Sequence, residues 1–185
     1  ELDVAKLKVA AGDAVILRAY AEDAFDGRGR VRSAPRTLRI VGEEEFERQI
    51  RGVFAGVRRD AMRIDERQAR ARDAVERDVS ERGVREMQGA VTEGAARMRD
   101  SIEQAMERLE RNGRDAGVLQ ELADQARELA STAESRSAEA TGEIEKAQAA
   151  ADPAKKSEAA KSAAERQESV REELLNYAKN GEPYW

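Results

Sequence analysis

From Glu43 to Asn112 the chain carries one row of mostly apolar or small residues in steps of three and four. The row runs through Phe46, Ile50, Val53, Val57, Ala61, Ile64, Gln68, Ala71, Val75 and Val79, then Val84, Met87, Val91, Ala95, Met98, Ile102, Ala105 and Leu109. Such spacing holds side chains on one helical face and does not fit the two-residue period of a strand. The stripe is narrow, close to the seam of a coiled coil. Glu43, Glu44 and Glu45 put carboxylates in the first turn, where free backbone N–H groups and the helix dipole favour them. The phase slips across Ser80-Glu81-Arg82-Gly83, which places a kink at 80–84. Turn residues are otherwise scarce from Glu76 to Glu86, so a single kinked helix is the expectation.

Asn112-Gly113-Arg114-Asp115 is the strongest punctuation in the helical region: Gly113 suits a left-handed C′ position and Asp115 an N-cap. A second striped segment then carries Leu119, Leu122, Ala126, Leu129, Ala133, Ala140, Ile144 and Ala147. Asp152-Pro153 marks a break, because Asp caps a helix and Pro fits its first turn. The stripe resumes at Ala160, Ala163, Gln167, Val170, Leu174 and Tyr177 and stops near Asn180-Gly181. At 1.5 Å per residue the arms before and after Gly113 measure ~105 Å and ~100 Å, so a hairpin hinged at Gly113 brings their ends level. That register sets Val57 beside Val170, Val53 beside Leu174 and Ile50 beside Tyr177. The tail at 181–185 holds the only Trp, Trp185.

The first 42 residues follow another pattern. Lys6 to Val9 alternate, Ala10-Ala11-Gly12-Asp13 reads as a turn, and Ala14 to Glu22 alternate as in a half-buried strand. Phe25-Asp26-Gly27-Arg28-Gly29 is a loop, and Pro35 precedes a last strand from Thr37 to Val41. Two or three strands make too small a sheet to stand alone. They are expected to be the C-terminal end of a β-sandwich whose earlier strands lie outside this sequence. The predicted fold is thus mainly α, a long antiparallel coiled-coil hairpin preceded by a small β segment. Its parts are 1–42, a long helix over 43–112, a turn at 113–115, a returning helix over 116–180 broken at 152–153, and the tail.

Composition narrows the chemistry. Charged residues make up 38% and aromatic ones 4%, a balance that suits thin-cored helices with ion pairs on their outer faces. The 33 basic and 38 acidic residues nearly cancel, so no global field attracts nucleic acid or an anionic surface. Cys and His are both absent, which removes thiolate nucleophiles, imidazole bases, disulfides and nearly every transition-metal site. No apolar run approaches the ~20 residues that span a bilayer. The expectation is a non-enzymatic module without a cofactor, whose partners are proteins or other copies of itself met through the coiled coil.

Several features taken in order resemble a known arrangement: the Gly12-Asp13 turn, a strand ending in Ala21-Glu22-Asp23, Ser33-Ala34-Pro35, then Leu38-Arg39-Ile40-Val41 and the Glu43-Glu44-Glu45-Phe46 helix start. This order is similar to a segment of large uncharacterised bacterial cell-envelope proteins in which an immunoglobulin- or cadherin-like β region passes directly into long coiled coils. The resemblance implies a structural spacer or docking arm on the periplasmic side of the envelope, and it brings no catalytic residues.

Glu22, Asp23 and Asp26 could supply oxygens to Ca²⁺, as in cadherin-like domains, but without a D-x-D-x-D spacing they read better as solvated turn residues. A calcium- or saccharide-binding β module multimerised by its coil is the alternative function. Asp65 and Glu66 pair two carboxylates, but a charged helix face gives them no desolvated pocket. Arg58, Arg59, Arg63, Arg67, Arg70 and Arg72 alternate with acids and lack stacking aromatics, so they read as ion-pairing faces. Gly52 and Gly56 have the spacing of a close helix contact. The packing residues singled out are Ile50, Val53, Val57, Val170, Leu174 and Tyr177, with Gly113 as the hinge.

Overall fold

The computed structural model describes residues 6–22, 29–112 and 117–180. Two compact units emerge, Glu1–Gln49 and Ile50–Trp185. Four short strands are described in the first: β1 (Ala14–Leu17), β2 (Tyr20–Ala21), β3 (Val31–Arg32) and β4 (Arg36–Arg39). β1 pairs antiparallel with β4, and β2 with β3. The two pieces are one long hairpin interrupted opposite Ser33, which donates its N–H to Ala19 O while its Oγ accepts from Ala19 N. The strand expected over 14–22 is therefore split, Lys6–Val9 is not a strand, and β3 is an element that the alternation did not announce.

The turn before β1 forms where expected. Asp13 accepts from Ala10 N at 2.7 Å through its carboxylate, and its own N–H donates to Ala10 O at 3.1 Å. Gly12 has φ +97°, a backbone region that a side chain would strain. At the other end of this unit Gly42 opens the helix, and a Cβ built there would meet Ala11 Cβ at 3.4 Å.

The helices are α1 (Glu43–Asp78), α2 (Arg82–Arg111), α3 (Val118–Ala149) and α4 (Pro153–Asn180). The mainly helical, antiparallel architecture is as expected, but each long arm folds once more. The first arm does not continue through 80–84. Asp78 accepts from Ser80 N through Oδ1 at 2.9 Å and from Glu81 N through its carbonyl at 3.1 Å, and the chain reverses there. Asp152 closes the corresponding turn before α4 by accepting from Ala154 N at 2.9 Å, as its N-cap position predicts.

Cross-helix contacts order the four helices of the second unit as an up-down-up-down bundle. Gln68 meets Gln88 between α1 and α2. Arg99 pairs with Glu134 at 2.5 Å and Arg85 with Glu145 at 2.9 Å between α2 and α3. Arg166 pairs with Glu139 at 2.8 Å between α4 and α3, and Arg171 with Asp65 at 2.9 Å between α4 and α1. The hinge rule would have set Arg58 beside Ser169; instead its Nε donates to Ala178 O at 2.9 Å. Reversal near Ser80 changes the α1–α4 register because α4 now returns along α1 inside a closed ring of helices. Gly113 lies outside the described residues.

A four-helix ring buries a wider face than a two-stranded seam. In α2 the buried set is Val84, Gln88, Val91, Gly94, Ala95, Met98, Ile102, Ala105, Met106 and Leu109, which includes neighbours such as Gly94–Ala95 and Ala105–Met106. One end of the core joins Ala74, Val75 and Val79 of the first helix and turn to Val84, Ile144, Ala147 and Ala163. The close helix approach is at Gly94, where a Cβ would stand 3.1 Å from Ile64 Cγ1. It is not at the predicted Gly52: a Cβ there meets nothing within 4 Å.

Candidate functional site

Helical period places one polar residue on the buried face of each helix. Gln68 stands among Ile64, Ala71 and Val75, Gln88 between Val84 and Val91, Ser137 between Ala133 and Ala140, and Gln167 between Ala163 and Val170. These four are the buried polar residues described, and all are fully inaccessible. They meet in one layer of the bundle.

Gln88 is the hub of this layer. Its Oε1 accepts from Gln68 Nε2 at 2.9 Å and from Gln167 Nε2 at 2.8 Å. Its Nε2 donates to Ser137 Oγ at 2.7 Å and to Gln68 Oε1 at 3.2 Å. Thr92 Oγ1 extends the network to Ser137 Oγ at 3.2 Å, and Thr141 Oγ1 donates to Ser137 O at 3.1 Å. One acceptor, Gln167 Oε1, has no partner among the described residues. A buried polar atom left so costs about 1–3 kcal/mol.

No side chain in the layer is charged near neutral pH, so the arrangement offers neither an acid nor a base. What it does is positional. Sliding any helix by one heptad would strand amides against Ala, Val and Ile, and each stranded group would carry its desolvation cost. A polar core position of this kind selects one register out of several that an Ala-rich seam would accept.

Ion pairs reinforce the layer from outside. Arg72 bridges from Glu76 of its own helix, at 2.9 Å, to Glu168 of α4. Burial alone would lower its pKa, but hydrogen bonds and charge from Glu76 and Glu168 raise it. Arg136 of α3 donates to Ser169 and to Glu173 of α4, the latter at 3.4 Å.

The structure places the residues singled out from the sequence as follows. Ile50, Val57, Val170 and Leu174 are buried. Val53 is half-buried, and its neighbour Phe54 takes the fully buried position. Tyr177 is half-buried, with a hydroxyl that finds no partner among the described residues, and burial pushes its pKa up to about 12. Glu22 is exposed, 4.0 Å from Arg30, while Asp23 and Asp26 lie outside the described residues. Among the described residues no group of three metal-ligating side chains forms. Asp65 is the ion-pair partner of Arg171.

Comparison with family models, curated proteins and solved structures gave no match. Gln68 and Gln167 were visible in the sequence as polar interruptions of apolar stripes; Gln88 and Ser137 were not recognised, because a two-arm hairpin does not bring four helices to one level.

Proposed function

We propose that this chain is a non-enzymatic structural or protein-interaction module, a coiled-coil spacer or docking arm of a larger envelope protein. The observation that carries this reading is the Gln68–Gln88–Ser137–Gln167 layer. It ties all four helices at one level and makes the bundle a single-register rod within one chain, which is what a spacer needs. Charge supports the same reading: Arg–carboxylate pairs link neighbouring helices along the outside. Placement in the envelope rests on the resemblance of the β segment and helix start. No helix of the described residues is long and apolar enough to cross a membrane.

Spin labels on the exposed positions Arg70 of α1 and Ser135 of α3 test the rod. A narrow distance distribution, unchanged on dilution, is expected. A broad distribution, or one that shifts with concentration, would refute a rigid intramolecular bundle. Titrating Ca²⁺ into the whole protein addresses the alternative module directly: binding lost in Asp23→Ala would replace the spacer reading with an ion-binding one.

A further inference from the structure

Three of the four seams between neighbouring helices are closed by ion pairs. Arg85–Glu145 and Arg99–Glu134 join α2 to α3, Arg136–Glu173 and Arg166–Glu139 join α3 to α4, and Arg72–Glu168 and Arg171–Asp65 join α1 to α4. Among the described residues no ion pair joins α1 to α2. That seam is held from inside, by the Gln68–Gln88 bonds and by the close approach of Ile64 to Gly94.

On its outside the same seam brings like charges together. A cavity of about 150 Å³ beside Ile64 is bordered by Asp60, Arg63 and Arg67 of α1 and by Gly94 and Arg97 of α2. Arg63 and Arg67 stand one turn apart on one helix edge, a spacing at which like charges repel. Gly94 lets them come near α2: a Cβ there would stand 3.9 Å from Arg67 Nη1. Arg63 reaches Asp60 at 3.3 Å and Arg97 reaches Glu93 at 3.5 Å. Each of these pairs lies within one helix and is exposed, so it holds its guanidinium weakly. Arg67 makes no ion pair among the described residues.

Size and charge identify the occupant. The cavity has room for about five waters at ~30 Å³ each and falls below the ~300–1,000 Å³ of pockets that take drug-sized ligands. A nucleotide or a sugar chain is therefore too large. Three guanidinium groups against the single carboxylate of Asp60 leave the lining two positive charges in excess, and Glu93 stands outside it. A chloride or a lone carboxylate would answer half of that. A phosphate group carries about −1.5 to −2 at pH 7, and its oxygens fit the planar forks of arginine two at a time. We infer that the α1–α2 cavity binds one phosphate group, held between Arg63 and Arg67 on one helix and Arg97 on the other. The anion then supplies the bridge that side chains supply at the other three seams. This site is independent of a spacer role.

The test titrates inorganic phosphate into the full chain by calorimetry, with chloride holding the ionic strength constant and glycerol 3-phosphate as a second probe. Saturable binding at one site is expected, and it should raise the urea midpoint, since a ligand of the folded state stabilises it. Arg67→Gln should weaken binding at least about tenfold and remove most of the midpoint shift. Arg70→Gln takes an equal charge from the same helix outside the cavity and should leave the affinity within about twofold. Tighter binding of inorganic phosphate than of the ester would mark the free ion as the ligand, and the reverse would mark the end of a monoester. Neither heat nor a midpoint shift beyond the chloride control would overturn the proposal, as would parental affinity in Arg67→Gln. Equal losses in Arg67→Gln and Arg70→Gln would also overturn it, because the anion would then be answering general charge.

Discussion

Replacing Gln88 by Leu should destabilise the bundle far more than its own size change suggests. The substitution removes every side-chain bond at the hub, leaving Gln68 Nε2, Gln68 Oε1 and Gln167 Nε2 without partners, while Ser137 Oγ keeps only Thr92 Oγ1. Three buried groups at about 1–3 kcal/mol each exceed the 1–3 kcal/mol that a buried Leu gains, so a net loss of about 2–5 kcal/mol is expected. Changing Gln68, Gln88 and Gln167 to Leu and Ser137 to Ala together removes the stranded groups and also the orphan Gln167 Oε1. That variant should be as stable as the parent or more so. Its cost should appear as lost uniqueness: broadened amide resonances or a mixed oligomeric state, because nothing polar then selects the register. Urea unfolding followed by circular dichroism measures the first effect, and light scattering with amide spectra the second. A Gln88→Leu protein as stable as the parent would refute the network's role, as would a fourfold variant that keeps one sharp monomeric spectrum while losing stability.

Further expectations test other parts of the structure. Gly89→Ala, with nothing within 4 Å of the new Cβ, should stabilise by about 0.5–1 kcal/mol through helix propensity, whereas Gly94→Ala places its Cβ 3.1 Å from the buried, branched Ile64 and should forfeit that gain or destabilise; equal urea midpoints would contradict the close approach. Leu174→Ala should cost about 2–5 kcal/mol at its buried site and Val53→Ala much less at its half-exposed one, again by urea unfolding. Tyr177 is neutral in both states below pH 10; between its ordinary value of 10.0 and its folded value of about 12 only the unfolded chain ionises, so stability should fall over that window. Tyr177→Phe should remove this part of the alkaline loss and leave neutral-pH stability unchanged or raised, and identical pH profiles for the two proteins would show that the phenol is not held neutral.

The helices were legible because their burial follows a period that sequence displays directly. Every stripe position from Ala61 to Val79 that was read as inward-facing is buried, and Asp152 caps α4 as its chemistry requires. The number of helices was harder to read. The phase slip at Ser80 is visible, but turn residues are scarce from Glu76 to Glu86, and Asp78 closes the turn with its own carboxylate. Local punctuation understates such turns when tertiary burial supplies the drive. The cost of that misreading was concentrated in register: Arg171, expected near Gly56, finds Asp65.

The same difference in helix number decides how the polar layer looks in sequence. In a two-stranded coil a glutamine on the seam reaches water beside it, so Gln68 and Gln167 look like tolerable interruptions. In a closed ring of four helices the same position is inaccessible, and a lone glutamine would be a serious defect. Three glutamines and a serine at one level convert that defect into a lock, since each amide is satisfied mainly by a residue from another helix. The layer therefore reads backwards as well as forwards. Polar residues on the apolar stripes of four successive segments predict that those segments meet at one level, and pairing Gln68 with Gln88 fixes the reversal near Ser80 without any turn signal. Such cross-checking between stripe and interruption is available from sequence alone, and here it folds each arm of the antiparallel hairpin once more into the bundle.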